Sequence, residues 1–304
     1  MNAHEKEQRS IELEAQLLDF HQHKMPLQGV TPPENMLAFV AQLIDSIQRV
    51  MYVQTIRARP ISAARADPRS PSFDPIRAAV AAGQTEEAFW LIFLATHCGR
   101  NLRTEWRLAA ELYGASQAAP WTWTRVQNDP EAYADWVEDH YDTFTGKFGN
   151  HRKYESLKPG DKGTGAVVRS YVDWITGFGS HAAMVAQAKA QANGNARRAF
   201  NVLYEQMRAV LRFGRTGRFD YLTMLSKVGL ADIDADSTYM NEATGPKRGA
   251  RLLFDGQIDS NTGARVLEAR VAALEQHLGV GMQVMEDAMC NWQKSPNLYQ
   301  AFRG

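Results

Sequence analysis

An all-α fold is predicted by three observations. Apolar residues recur at helical spacing through most of the chain, helix start and stop signals bracket those stretches, and no two segments alternate as a strand pair would. At 304 residues the chain suffices for one large helical domain or two lobes sharing a cleft.

The elements follow in order. Residues 8–22 place Ile11, Leu13, Leu17, Leu18 and Phe20 at roughly helical spacing. Thr31-Pro32-Pro33-Glu34 fits a capping box with proline at the first helical position, and Met36, Phe39, Val40, Leu43, Ile44 and Ile47 then form an apolar face that ends before Pro60. Residues 57–74, rich in Pro, Ser, Arg and Asp, read as a surface linker, with Arg65, Arg69 and nearby Arg77 as secondary candidates for phosphate contact. Residues 1–75 are thus N-terminal helices and linker within a single domain spanning 1–304.

From Asp74 to Leu112 the pattern is strongly helical, with Thr85-Glu86-Glu87 as a fresh start before AFWLIFLATHCG. That run is apolar all round, which marks a buried helix, and His97 within it reads as a core histidine. Residues 115–130 form a loop whose Trp121 and Trp123, beside Arg125, read as anchors to the core. Asp129-Pro130-Glu131 opens a helix carrying Tyr133, Trp136, Val137 and Tyr141.

Residues 144–166 are the most unusual loop. Gly146 and Gly149 precede Asn150-His151-Arg152-Lys153-Tyr154-Glu155, and Gly160, Gly163 and Gly165 follow. Glycines let backbone approach a ligand closely, while the side chains supply a base, two cations, an amide and a carboxylate, so this reads as a site loop. Helices are then predicted over 166–175, up to Ala192, and over 196–213 with Phe200, Leu203, Tyr204, Met207, Val210 and Leu211 inward.

The stretch 213–259 predicts a helix from Arg218 to Val228, a stop at Gly229, a second helix capped by Asp236 or Ser237, a turn over 243–248 and a third helix from near Gly249. Two helices joined by a glycine-containing turn with Lys247 and Arg248 form a helix-hairpin-helix over 237–260, which can aim backbone N–H groups at a phosphate. DNA is therefore the leading partner. Residues 261–278 place Val266, Leu267, Val271 and Leu274 on one face, and 279–304 close with a short helix and a tail.

Lys plus Arg equals Asp plus Glu, 34 against 34, so a nucleic acid must be met by local runs: Arg57-Ala58-Arg59, His151-Arg152-Lys153, Arg212 to Arg218 and Lys247-Arg248. Cys98 and Cys290 stand far apart without zinc-site spacing, which predicts no disulfide framework, no metal and no cofactor. A charged N-terminus without a signal-like apolar run, and no stretch approaching a membrane span, predict a cytoplasmic protein away from membranes.

The run Glu242 to Ala250 resembles the DNA glycosylase superfamily built on a helix-hairpin-helix and a downstream aspartate. Gly245 matches the second hairpin glycine, Glu242 stands where that pattern has proline, and Ala243 replaces its first glycine. The words FWLIFLATHCG, FGNHRKYESL, SYVDWI, FGRTGRFDYLTML, EATGPKRGARLLF and MEDAMCNWQKSP together resemble a narrower family, the alpha-glutamyl/putrescinyl thymine pyrophosphorylases. These are associated with hypermodified bases of phage DNA and proposed as relatives of the glycosylases. The resemblance implies a helix-hairpin-helix DNA glycosylase-like fold with two helical lobes around a cleft.

It also implies chemistry. A glycosylase extrudes its base and steadies a cationic sugar with a carboxylate, and some members use a hairpin lysine as nucleophile. Lys247, two residues after Gly245, falls where that lysine lies, in a phosphate-binding or nucleophilic role. Asp259 resembles the downstream aspartate, and Asp255 competes because the joining segment is short. His151 is then the group to protonate a leaving base. Asn150, Arg152, Lys153, Tyr154 and Glu155 would face the base or its adduct. Arg215, Arg218, Gly245 and Arg248 would meet phosphate, and Trp292 and Lys294, with Glu286, Asp287, Asn291 and Gln293, would line a pocket. The leading expectation is cleavage of the N-glycosidic bond of a modified pyrimidine in phage DNA, in defence or base modification. The alternative is displacement of pyrophosphate from an activated 5-hydroxymethyl pyrimidine by an amine, and a third is a non-catalytic DNA-binding module.

Overall fold

A computed structural model describes residues 1–301. They form fifteen α-helices and four 3-10 turns, with no strand among the described residues. In order these are α1 (Ala3–His23), α2 (Pro33–Arg57), α3 (Ala63–Ala66), α4 (Pro75–Ala81), α5 (Thr85–Cys98), α6 (Arg107–Leu112), α7 (Trp123–Asn128), α8 (Pro130–His140), α9 (Thr164–Thr176), α10 (His181–Gln191), α11 (Ala196–Gln206), α12 (Arg215–Val228), α13 (Gly245–Asp255), α14 (Ala264–Leu278) and α15 (Met282–Trp292). The chain divides into two compact units: Gln54–Asp234, and Met1–Val53 with the described residues from Ala235 onward.

The middle unit is built around α5. Every side chain from Ala88 to Cys98 is buried, as an apolar run without a polar face requires. Phe93 stacks on Tyr171 with ring centroids 3.7 Å apart, and the Trp90 indole donates to the Trp121 carbonyl at 2.8 Å. Trp121 and Trp123 are core, as expected of loop anchors. The caps are legible one by one. Asp74, Thr122, Asp129, Ser180 and Asn195 each accept from backbone N–H groups of the helix they precede. The helix predicted over 196–213 stops instead at Gln206. A 3-10 turn follows, then extended Val210 and left-handed Arg212 at φ +61°, which leaves Leu211 exposed rather than inward.

In the terminal unit the second helix expected from Asp236 or Ser237 is a single 3-10 turn, Met240–Glu242. The next helix, α13, starts at Gly245 rather than near Gly249, with Pro246 in its first turn, so Lys247 and Arg248 are helical residues and not turn residues. Proline is suited to that position because its missing N–H would have no helical partner there. The hairpin glycine has a packing role. A Cβ on Gly245 would lie 2.6 Å from Cys290 Sγ, one on Gly249 2.2 Å from the Met289 carbonyl oxygen, and one on Gly29 2.1 Å from the Leu252 carbonyl oxygen. Helix α13 is therefore clasped between the 3-10 turn at Gln28–Val30 and α15 at distances only glycine allows. Val266, expected inward, is exposed, while Leu267, Val271 and Leu274 are buried.

One helix, α2, is long and apolar enough to cross a membrane, an exception to the expectation that no stretch is. Its Met36, Phe39, Val40, Leu43 and Ile44 are buried against protein, and its Ser46 and Arg49 bond to Asp287 of α15. Those are the contacts of a core helix.

Candidate active site

Three glycine-bearing words of the sequence converge in the middle unit. The first is His97-Cys98-Gly99 at the end of α5, the second Gly149-Asn150-His151-Arg152, and the third Phe213 with Gly217 and Asp220 on α12. Gly149 N–H donates to the Cys98 carbonyl at 2.8 Å, and a Cβ on Gly149 would lie 2.9 Å from the Gly99 carbonyl carbon. Arg152, 8% exposed, threads through this crossing. Its Nε donates to the Thr96 carbonyl at 2.8 Å, its terminal nitrogen pairs with Asp220 Oδ2 at 3.1 Å, and its guanidinium lies 5.8 Å from the Phe213 ring. A Cβ on Gly217 would come within 3.3 Å of that guanidinium.

The rim of the cluster is ionic. Arg212 pairs with Glu155 at 3.2 Å and donates to the Tyr154 carbonyl, which ties the loop after Arg152 to the turn before α12. Its left-handed backbone is uncommon for a non-glycine residue, and such strain persists where the surroundings enforce it. Asn150, His151, Lys153 and Tyr154 are exposed, with the Lys153 ammonium 5.2 Å from the Tyr154 ring. Thr164 donates its hydroxyl to the Ser156 carbonyl at 3.0 Å and therefore accepts from His97 Nε2, also at 3.0 Å. Burial, together with the charges of Arg152 and Arg212, brings the His97 pKa down to about 3, so this histidine is a neutral wall of the site.

Behind the site runs a buried polar chain that the sequence did not single out. His181 bonds through Nδ1 to Glu86 at 2.6 Å and through Nε2 to the Tyr171 hydroxyl at 2.7 Å, which meets the Tyr221 hydroxyl at 2.8 Å. Burial opposes ionisation of Glu86, yet bonds from the His181 ring and from the His181 and Ala182 backbone outweigh it and hold its pKa at about 2. Burial lowers the His181 pKa against the pull of Glu86. The signal available in sequence was Glu86 in a helix start and His181 after the Ser180 cap, 95 positions apart with no local pattern joining them.

The predicted residues divide accordingly. Arg152, Lys153, Tyr154 and Glu155 are brought together with Arg212, the first residue of the basic run Arg212 to Arg218, and with Asp220, which the sequence did not single out. Arg215 and Arg218, expected to meet phosphate, are 7% and 2% exposed. Arg215 lies over Phe219 at 4.8 Å, and Arg218 lies over Tyr204 at 4.1 Å and donates to its carbonyl. They stiffen α12. Lys247, Arg248, Gly245, Asp255, Asp259, Trp292 and Lys294 belong to the other unit. There Asp255 is held by Ser260 at 2.5 Å and Arg270 at 2.8 Å, and burial is outweighed by bonds from Ser260, Thr262 and Arg270 that lower its pKa. Asp259 and Arg248 are exposed and Lys247 half-buried, none with a side-chain partner. Trp292, expected to line a pocket, is wholly buried, with its ring tilted 53° against Phe39 at 4.9 Å and its indole N–H bonded to the Pro296 carbonyl at 2.9 Å. Lys294 bonds to Asn291 at 3.0 Å, which in turn bonds to Asp287. Among the described residues no three His, Cys, Asp or Glu side chains are grouped to hold a metal ion.

What stands is an all-helical protein whose glycine-lined loops enclose a buried arginine under an ionic rim. The chain belongs to the alpha-glutamyl/putrescinyl thymine pyrophosphorylase family, clade 3, whose family model matches residues 34–304. That name is of an enzyme family and points to modified thymine in DNA. No curated protein and no solved structure matches the chain.

Proposed function

We propose that the protein displaces diphosphate from an activated 5-hydroxymethyl pyrimidine in DNA, with an amine as the incoming group. The observation that supports this most is the convergence of the family's glycine words on Arg152, ringed by His151, Lys153 and Arg212. A diphosphate leaving group develops charge as the carbon–oxygen bond breaks, and fixed cations beside close-approaching backbone stabilise that charge. In the step, the methylene C–O bond breaks, a C–N bond forms, the diphosphate leaves, and the amine gives up one proton. Lys153 and the Arg212 guanidinium are the cations that reach solvent, Arg152 and Asp220 hold the loop in place, and exposed His151 is the base placed to take the proton.

The N-glycosidase reading has less support. Its lysine and aspartates lie on an element whose first helix is a 3-10 turn, and Asp255 is fully engaged by structural partners. The test is incubation with DNA carrying a pyrophosphorylated 5-hydroxymethyl pyrimidine plus putrescine or glutamate. Diphosphate release dependent on the amine, with a base adduct by mass spectrometry, is the expected result. Free base and alkali-labile abasic sites without diphosphate would overturn it in favour of hydrolysis.

A further inference from the structure

A cavity of about 500 Å³ in the middle unit lies between the 68–73 loop and the strap joining α5 to α6. We propose that it is a nucleotide-binding subsite, which holds a nucleotide of the DNA strand beside the reacting one. The volume falls in the range of small-ligand pockets. Its charge balance is the argument. Among its lining residues, Glu105 is neutralised from outside by Arg100 at 2.8 Å, and Glu111 is saturated by the backbone of Thr145 and Gly146 and by the Thr145 hydroxyl at 2.6 Å. Arg69 is paired with Asp67 at 3.1 Å. Arg107 bonds at 3.3 Å to the Thr145 hydroxyl, which bridges it to Glu111, and Arg103 has no side-chain partner, so the lining keeps one net positive charge and two guanidinium groups with donors to offer. Trp106, half-buried, adds an aromatic wall whose indole N–H has no partner in the protein. Two cations and a ring are the chemistry of a phosphate joined to a base.

The strap is also rigid and tied to the candidate active site. Asn101 and Glu105 exchange backbone bonds at 3.0 and 2.9 Å across a turn in which Glu105 is left-handed, and Asn101 Oδ1 accepts from the Arg103 and Thr104 N–H groups. Asn101 Nδ2 donates to the Phe148 carbonyl at 2.9 Å, next to Gly149. That continuity favours a nucleotide in the same strand as the target over a free one. The subsite rests on the displacement reading only for its place beside the target, and its binding is measured without turnover, so the two fail separately.

The experiment is a titration of the full chain with a tetrathymidylate, with thymidine monophosphate and with inorganic phosphate. The oligonucleotide is expected to bind most tightly and phosphate least. Arg103→Gln and Arg107→Gln each weaken oligonucleotide binding roughly tenfold and lower its salt slope by about 0.7. Trp106→Leu weakens it roughly tenfold, and Trp106→Phe restores most of the loss. Both arginines are exposed, so their removal leaves folding intact. Monophosphate bound as tightly as the oligonucleotide would overturn the strand assignment and leave a free-nucleotide site. Phosphate bound as tightly as either, or an Arg103→Gln/Arg107→Gln double variant that binds normally, would overturn the subsite. Normal oligonucleotide binding with no diphosphate release would overturn the displacement reading and leave the subsite standing.

Discussion

The loop at Arg152 and the helix start at Lys247 both pair glycine with cations, yet they are built in opposite ways. At Arg152 the glycines bring backbones together so that a buried guanidinium is fixed by a carbonyl, a carboxylate and an aromatic ring. At Lys247 the glycines serve the packing of α13 against its neighbours, and the cations are left at the surface without partners. Local motif and local cation were alike in sequence. What distinguishes a fixed group from a solvated one is the set of partners that distant chain segments supply.

Replacing Arg152 should break this contrast with the largest effect. Arg152→Met leaves Asp220 and the Thr96 carbonyl without their donor, and about 3 kcal/mol of stability should be lost in a denaturant melt, with diphosphate release falling about 100-fold or more. Arg152→Lys should recover stability better than activity, because a point charge cannot reproduce the fork. If activity survives Arg152→Met, the cluster is not the reacting site.

Gly249→Ala sharpens the other half. Its new Cβ would collide with backbone at Met289, which can yield only by moving α15, so a loss of about 1–3 kcal/mol is expected by thermal melting. A neutral result would mean that α13 and α15 are not clasped as closely as the glycine positions require.

Acid should act through the middle unit. His97 and His181 have folded pKa values below the unfolded value, so the unfolded chain binds more protons. The stability each contributes is complete above the unfolded histidine pKa and is lost as pH falls below it, for His97 down to about 3. Glu86, lowered from 4.5 to about 2, adds a second loss between those values. Melting should therefore weaken steadily below neutrality. His181→Gln should flatten part of that dependence, and an unchanged profile would exclude the buried chain as its origin.

The smallest effects belong to the surface residues. Lys247→Gln and Asp259→Asn should change stability by no more than about 0.5 kcal/mol, and diphosphate release should persist in both. Loss of diphosphate release in Asp259→Asn would place the reacting site in the terminal unit rather than at Arg152.

Much of the helical framework was readable because its determinants are local. Asp129-Pro130, Ser180 and Asn195 announce helix starts wherever they pack, and the uninterrupted apolar run of α5 admits only a buried helix. The failures also have local causes. Residues 236–242 carried a cap without an apolar stripe strong enough to sustain a helix, and residues 207–213 left the helical path where Arg212 adopts its left-handed conformation. In the site, the loop at 150–155 was visible from its glycines and mixed side chains. Arg212 stood out only as the start of a basic run and Asp220 not at all, because the ion pairs that tie them to the loop join residues 57 and 68 positions apart in sequence.

The sequence by itself determined the all-α class, the helix caps, the buried α5 and the family, since propensity, capping and word content are properties of neighbouring residues. Only the tertiary structure decided that Arg152 is fixed while Lys247 is free, that Gly245 packs against Cys290, and that Trp292 is core. Each of those depends on which atoms a folded chain places within about 3–4 Å, and burial and partner, not residue type, set what a charge or a ring can do.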